Sequence, residues 1–403
     1  ERAQAATTEA VLQRNQAEAE AETNRQVTQF LVGLFKSSDP IVGDDEMLTA
    51  AQLLERGVAS IDSLYDQPQV QAALQRTMGE VYTTMGRFAE ALPLMQEALT
   101  NSQSYQQRLR SSIALATVYR ELGKYTEGIT LLEPLVAELD QRASEHDARD
   151  AYAARYQLVL LYTEKGAYDK APVLLDRLVA DAGLVSIGQH INTLLEQASL
   201  TDKLGDWRLA EQIYHQAIEL EHDHAGAHSH KIGQAYQNLG NLYAFRNRLD
   251  EAIAAYQSAL QIFEQVYGPE HPLAGGALGS LGSVAWRRNE LEDAAGYFQR
   301  AVEILAVSRG AEHPDTAKGY GSMGLVYLDL GEYDKAEDAL RRTNEIFERH
   351  YDPDSLNITR SRSFLAKAYQ AKGEHAKAEE LLRKSLAVRR RLLPPDNLPL
   401  LDT

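Results

Sequence analysis

The chain has 403 residues, no cysteine and a formal net charge of −17 at pH 7. The lack of cysteine excludes disulfides and cysteine-ligated metal sites, and the acidic balance argues against a general nucleic-acid-binding protein, which needs a basic stripe to neutralise phosphates. No apolar run approaches the roughly 18 residues that a membrane-spanning helix needs, and because the sequence starts with neither a methionine nor a signal peptide, we expect it to be a segment of a longer protein.

The first predicted element is one long helix over residues 1–36, because Ala, Glu and Gln dominate and all three favour helix. From Val27 onward this helix becomes amphipathic, and we assign its apolar cluster to packing: Phe30, Leu31, Leu34 and Phe35. Residues 1–25 carry only an Ala-rich stripe, which is too thin for a strong coiled coil. Two interpretations stay open for them, a stalk that dimerises or transmits orientation and a helix that caps the rest of the chain.

Residues 37–70 predict a capping helix and a linker. Leucine, valine and isoleucine recur on one helical face between about Met47 and Leu64. The sequence Asp66-Gln67-Pro68 then interrupts the pattern and leads into a series of repeats.

From residue 71 a pattern recurs in which a small residue is followed three positions later by an aromatic residue and then by a turn. The small residues stand at 79, 116, 159, 198, 240, 282, 324 and 366, and the step is 42 residues from 198 onward. We therefore expect four irregular repeats over residues 71–220, four regular repeats over residues 221–393, and a tail over residues 394–403. Each repeat is predicted to be a helix–turn–helix pair, since a fixed period of this length indicates a solenoid.

The recurring pattern, Leu239-Gly240 followed by Tyr243, a turn and Ala252, resembles the tetratricopeptide repeat. The 42-residue period and the loops Gly268–Pro272 and Gly310–Pro314 resemble the longer kinesin-light-chain type. The resemblance implies an all-α fold without sheet: a right-handed superhelical solenoid of about eight repeats, preceded by the long N-terminal helix.

Residues 25–100 carry a second resemblance, to the region that follows the kinase domain in bacterial receptor-like serine/threonine kinases with tetratricopeptide repeats. It rests on the Phe30–Pro40 segment, the Leu48–Gly57 helix and the entry Pro68–Ala72 into the first repeat. This resemblance implies a ligand-sensing region on the periplasmic side of a bacterial inner membrane, tethered upstream of Glu1. The chain itself contains no glycine-rich phosphate loop, His-Arg-Asp or Asp-Phe-Gly motif, so we expect no kinase activity from it.

One histidine-rich segment is a candidate metal site: His222, His224, His228 and His230, next to Glu221 and Asp223. Imidazoles and carboxylates at such spacing suit zinc, nickel or copper. The segment stands at the same place in its repeat as the loops at 268–272 and 310–314, so we interpret it as a solvated loop, with metal binding as the alternative. We predict no metal, cofactor or catalytic residue.

The concave side of the solenoid is the predicted binding site, because the resemblance implies that the first helix of each repeat lines it. With the small residue counted as position 8, positions 2, 5, 9, 12 and 13 share one helical face. In the regular repeats these positions give the predicted peptide-binding residues Gln237, Asn241, Ser283, Trp286, Arg287, Lys318, Arg360, Ser363 and Lys367.

The basic members of this set favour an acidic ligand, although they could equally balance the acidic outer helices. Glycines at 276, 279 and 321 have two explanations as well, room for a ligand backbone or close packing of helices. We predict a protein or peptide ligand, with a homodimer through the N-terminal helix as a further possibility. A free-standing scaffold that assembles partners in the cytoplasm is the alternative to the sensor.

Overall fold

A computed structural model describes residue 14 and residues 18–19, 21–34, 50–64, 66–141, 148–226 and 229–392. Within these ranges every regular element is a helix and none is a strand, which confirms the predicted all-α fold. The same residues include no helix long and apolar enough to cross a membrane. The chain divides into two compact units, Glu1–Thr193 and Leu194–Thr403.

The first unit begins with a helix over residues 21–34, which we label α1. The helices that follow are α2 (Ala50–Ile61), α3 (Pro68–Thr84), α4 (Phe88–Thr100), α5 (Tyr105–Glu121), α6 (Tyr125–Gln141), α7 (Ala148–Lys165) and α8 (Ala171–Ala180). Short 3₁₀ turns lie at Asp62–Leu64 and Ala182–Leu184, and α9 (Ile187–Lys203) contains the boundary between the two units.

The second unit continues from α9 with nine helices in the part of the chain that is described. They are α10 (Trp207–Ala225), α11 (His230–Phe245), α12 (Leu249–Tyr267), α13 (Pro272–Arg287), α14 (Leu291–Ser308), α15 (Pro314–Asp329), α16 (Tyr333–His350), α17 (Leu356–Ala371) and α18 (His375–Leu392). From α3 to α18 the described helices therefore form eight successive pairs, as the repeat count predicted.

The turn inside each pair contains one residue with a positive φ angle. These residues are Gly86, Gly123, Gly166, Gly205, Asn247, Asn289, Gly331 and Gly373. Glycine and asparagine are the residues that tolerate this left-handed conformation, which explains why these two residue types recur at the turns. Their positions step by 42 residues from Gly205 onward, which is the period of the regular repeats.

The small residue of the repeat allows the two helices of a pair to pack closely. A Cβ atom at Gly282 would lie 3.1 Å from the ring of Phe298, and one at Gly324 would lie 2.6 Å from Leu340. The alanines that follow in the second helices, such as Ala252 and Ala294, are fully buried. The predicted role of the small residue is thus what the structure shows.

In the second unit the first helices of neighbouring pairs also contact one another directly, α11 with α13, α13 with α15 and α15 with α17. No comparably extensive contact joins the second helices of neighbouring pairs in the described residues. The row of first helices is therefore the more closely spaced side of this unit, and it presents a continuous surface.

The N-terminal helix α1 packs on the start of the first unit. Val27, Phe30, Leu31 and Leu34 contact the core that contains Met78. Gly57 of α2 permits the close approach of Leu34, since a Cβ there would lie 2.8 Å from a Leu34 methyl group. Phe35, most of residues 1–20 and the tail over residues 394–403 lie outside the described residues, so the stalk, its dimerisation and the tail stay predictions.

Candidate functional site

The candidate site is the exposed surface formed by α11, α13, α15 and α17, which we call the first-helix face. Eight of the nine predicted residues lie at least partly exposed on it, and Ser363 does not. Ser363 is only 4% exposed, and its hydroxyl donates to the carbonyl of Thr359 in its own helix. We therefore leave Ser363 out of the site that we propose below.

Hydrogen bonds between neighbouring repeats fix several of these side chains. Gln237 donates from Nε2 to the Ser280 hydroxyl at 2.9 Å, which joins α11 to α13. Trp286 donates from its indole nitrogen to Asp329 at 2.6 Å, which joins α13 to α15. These bonds hold the face in one arrangement, and the Oε1 atom of Gln237 is left buried without a hydrogen-bond partner.

A buried tyrosine of α12 orients the side chain of Asn241. The hydroxyl of Tyr256 donates to Asn241 Oδ1 at 2.8 Å. Burial raises the pKa of Tyr256 to about 12, so this hydroxyl stays protonated and remains a donor at physiological pH. This bond fixes the amide of the exposed Asn241 and uses one of the two acceptor positions of Oδ1, while Nδ2 is the donor of this side chain.

The four predicted cations differ in whether other residues of the chain already accept hydrogen bonds from them. Arg287 donates to the carbonyl of Ala244 at 2.6 Å and to Asn247 at 3.0 Å, and Lys318 donates to Asp315 at 2.9 Å. Arg360 and Lys367 form no ion pair in the described part of the chain. Lys367 lies 6.0 Å from the centre of the Phe364 ring, on the same helix as Arg360.

The glycines of the face divide into two groups. A Cβ at Gly276 or Gly279 would meet no atom within 4 Å, so packing does not require glycine at either position. Gly321 is buried beside Thr343 at an ordinary contact distance of 3.4 Å. Since a glycine inside a helix costs about 1 kcal/mol against alanine, the two open glycines are consistent with room kept for a ligand backbone.

Two contributors to this face were missed by the sequence argument. Ser280, the partner of Gln237, stands outside the counted positions, and only the contact between neighbouring repeats identifies it. Phe245 stands at a counted position and is 84% exposed, but it is not among the predicted binding residues. The sequence did contain a signal for Phe245, since the other regular repeats have no aromatic residue at the equivalent position but Arg287, Asp329 and Ala371.

The predicted histidine-rich segment forms no metal site in the described residues. Among them no group of three or more metal-ligating side chains is close enough to hold an ion. His222 and His224 lie exposed at the end of α10, and His230 is the first residue of α11. His228 lies outside the described residues, so its part in the metal alternative is untested.

Comparison with known proteins identifies similar sequences and folds. A model of the tetratricopeptide repeat family matches residues 70–133, 189–265, 232–306, 277–349 and 315–391. Kinesin light chain-related 1 of Arabidopsis thaliana is 23% identical over 212 residues, which are 48% of this chain and 33% of that protein. Kinesin light chain-related 2 of the same plant is 22% identical over 257 residues, 60% of this chain and 38% of that protein. The chain thus spans little more than a third of the length of these relatives.

Among solved structures, a signal transduction ATPase with numerous domains from Pyrococcus horikoshii has the same fold. That protein has a tetratricopeptide repeat sensor, and the match covers 86% of this chain and 54% of that chain. The TM-score is 0.59 and the sequence identity is 15%. A likeness at this identity concerns the fold and says nothing of shared ligands.

Proposed function

This chain belongs to the tetratricopeptide repeat family, a family of protein-interaction domains, and on that basis we propose that its first-helix face binds an extended peptide or protein segment. The observation that carries the proposal is the pair of open glycines, Gly276 and Gly279, between the polar side chains of α11 and the cations of α17 that form no ion pair with the described residues. Repeat arrays of this kind fix a peptide backbone with polar groups and read its side chains in neighbouring pockets.

The residues proposed to contact the ligand have separate roles. Asn241 donates to the peptide backbone, and Ser283 and Trp286 line the surface beside the open glycines. Gln237 and Arg287 hold neighbouring helices in register, while Lys318, Arg360 and Lys367 supply positive charge. The role is binding and involves no catalysis.

An acidic ligand is favoured by the charge of the last repeat. Residues 356–392 contain ten Lys and Arg against three Glu, in a chain whose net charge is −17. Arg360 and Lys367 stand seven residues apart, which places them on one face of α17 about two turns apart. Two carboxylates of a bound segment could therefore pair with these two cations, which form no ion pair in the part of the chain that the structure describes.

The test is a binding measurement with peptides selected from a displayed library of random twelve-residue sequences against the whole chain. We expect Asn241→Ala, Gly279→Leu and the double change Arg360→Glu/Lys367→Glu each to weaken binding about tenfold or more, which corresponds to about 1.4 kcal/mol. Gly296→Ala is the matched control, because Gly296 is an open glycine of the second helix α14. Undiminished and salt-insensitive binding by the folded variants would reject the site.

We propose in addition that the chain is the extracytoplasmic, ligand-sensing region of a bacterial transmembrane serine/threonine kinase. The support is the resemblance of residues 25–100 to the region after the kinase domain in such receptors. The alternative is a free-standing scaffold. The native coding sequence upstream of Glu1 decides between them: a kinase followed by a hydrophobic span would support the sensor, and a start codon with neither would favour the scaffold.

A further inference from the structure

A second exposed surface lies where the turns of two neighbouring repeats meet, at the start of α10 and the end of α11. We call it the turn-edge patch and define it by Leu204, Trp207, Arg208, Leu209, Phe245 and Arg246. Phe245 is 84% exposed, Leu204 is 54% exposed and Leu209 is 45% exposed. Exposed apolar side chains at two neighbouring turns are candidates for an interaction site.

The arginines of the patch join its two aromatic rings into one surface. The guanidinium of Arg246 lies 5.7 Å from the centre of the Trp207 ring and 5.6 Å from the centre of the Phe245 ring. The guanidinium of Arg208 lies 4.7 Å from the Trp207 ring. Tryptophan and arginine are the residue types that dominate the binding energy of protein interfaces.

Arg208 is an unfavourable choice for the position that it occupies. Asp206 caps α10, so Arg208 is the second residue of that helix, where the positive end of the helix dipole disfavours a cation. The three following repeats have Asp250, Glu292 and Asp334 at the equivalent position. Arg208 forms no ion pair with the described residues that would offset this.

The guanidinium of Arg246 also has a donor nitrogen without a hydrogen-bond acceptor. It pairs with Asp202 through one terminal nitrogen, while the other, Nη1, is buried without an acceptor. Unfavourable choices that the fold does not compensate tend to mark functional positions. Here they coincide, since Arg208, Arg246 and the exposed Phe245 all adjoin Trp207 or one another.

We propose that the turn-edge patch binds a protein segment that carries an apolar side chain next to a carboxylate. The apolar side chain covers Phe245, and the carboxylate accepts from the exposed guanidinium of Arg208. Charge complementarity selects this partner, because Arg208 forms no ion pair with the described residues of a chain whose net charge is −17. The patch shares Phe245 with the first-helix face but includes none of the residues that are assigned a role in ligand binding there, so substitutions of those residues leave the patch intact.

The test uses a chain in which the first-helix face is disabled by Asn241→Ala, Arg360→Glu and Lys367→Glu. A displayed library of random twelve-residue peptides is selected against this variant. We expect enriched peptides with Asp or Glu beside Phe, Leu or Trp. Their affinity should fall about tenfold or more with Phe245→Ser and with Arg208→Glu, since each removes an anchor of the patch.

Val307→Ser is the matched control, because Val307 of α14 is 77% exposed and lies outside the patch. It should leave the affinity unchanged. Arg208→Glu introduces the charge that the three following repeats have at this position, so it should favour the helix, and thermal unfolding of the variant verifies that it remains folded. Three results would overturn the proposal: no enrichment of such peptides, binding that neither patch variant weakens, or concentration-dependent dimerisation that Phe245→Ser abolishes, which would identify a second copy of this chain as the occupant.

Discussion

The ring of Tyr256 packs directly against Gly240, so that a methyl group at position 240 would overlap the ring. The same tyrosine donates its hydroxyl hydrogen bond to Asn241, the next residue along α11. Tyr256 therefore has two effects: its ring requires a small residue at position 240, and its hydroxyl orients the exposed amide of Asn241. The small residue that defines the repeat is required both by the core and by the face that we propose to bind a ligand.

Replacement of Gly240 by alanine should destabilise the second unit by about 1–3 kcal/mol, the range for overpacking a filled core. Gly276→Ala is the matched variant on the neighbouring first helix, since a Cβ there meets nothing within 4 Å. It should stabilise the chain by about 0.5–1 kcal/mol, because alanine favours helix over glycine. Urea unfolding of both variants measures the difference, and equal effects would contradict this division of the glycines.

Arg155 is a buried cation in the first unit, and its removal should be strongly destabilising. It is 5% exposed and donates to Asp140 at 2.7 Å and to Asp181 at 3.1 Å. Arg155→Met leaves two carboxylates without that partner, and we expect a loss of about 3 kcal/mol, the lower end for breaking a buried pair. Arg383→Met, which removes an exposed pair with Glu379, should change stability by less than about 1 kcal/mol. Similar losses in the two variants would argue against the buried network.

Histidine caps the helices α13 and α15 through a ring nitrogen that accepts a backbone N–H. His271 Nδ1 accepts from Leu273 at 3.3 Å, and His313 Nδ1 accepts from Asp315 at 3.1 Å. The equivalent cap in the next repeat is Ser355, which accepts from Asn357 at 3.0 Å. His271→Ser should therefore keep the stability of the chain, while His271→Ala should lose about 1 kcal/mol. Thermal unfolding at neutral pH compares them, and an unaffected alanine variant would show that the cap contributes nothing.

Glu211 should make the second unit sensitive to acid. Burial by itself raises the pKa of Glu211, but the hydrogen bond from Tyr243 at 2.6 Å and the one from Arg248 outweigh it, and the pKa lies below its usual range. A carboxyl with a lowered folded-state pKa contributes stability above its unfolded value of about 4.3, and that contribution is lost as the pH falls through the folded-state pKa.

Tyr243→Phe removes one of these donors and should shrink the acid-dependent part of the stability. Urea unfolding between pH 7 and pH 3 measures this contribution. Glu292→Gln is the control, because Glu292 of α14 is exposed and forms no ion pair with the described residues. A pH profile that Tyr243→Phe does not alter would contradict the role assigned to Glu211.

The sequence predicted the helical pairs because the small residues and the turn residues that define them are local in sequence and recur every 42 residues. It could not separate Gly276 from Gly282, since both are helix-interior glycines and only the neighbouring helix shows that Phe298 packs on the second. Positional counting placed Ser363 on the exposed face, whereas the local packing of α17 buries it. Partners in adjacent repeats, such as Asp329 for Trp286, depend on three-dimensional packing that no single repeat encodes.

Amide hydrogen exchange of the whole chain, with and without a peptide selected against it, tests the central claim most directly. Binding on the first-helix face should slow exchange in α11, α13 and α17, and should leave the second helices α12 and α14 unchanged. Asn241→Ala should reduce that protection at equal peptide concentration. Protection centred on α12 and α14, or protection that Asn241→Ala does not alter, would contradict the proposal that this face is where the ligand binds.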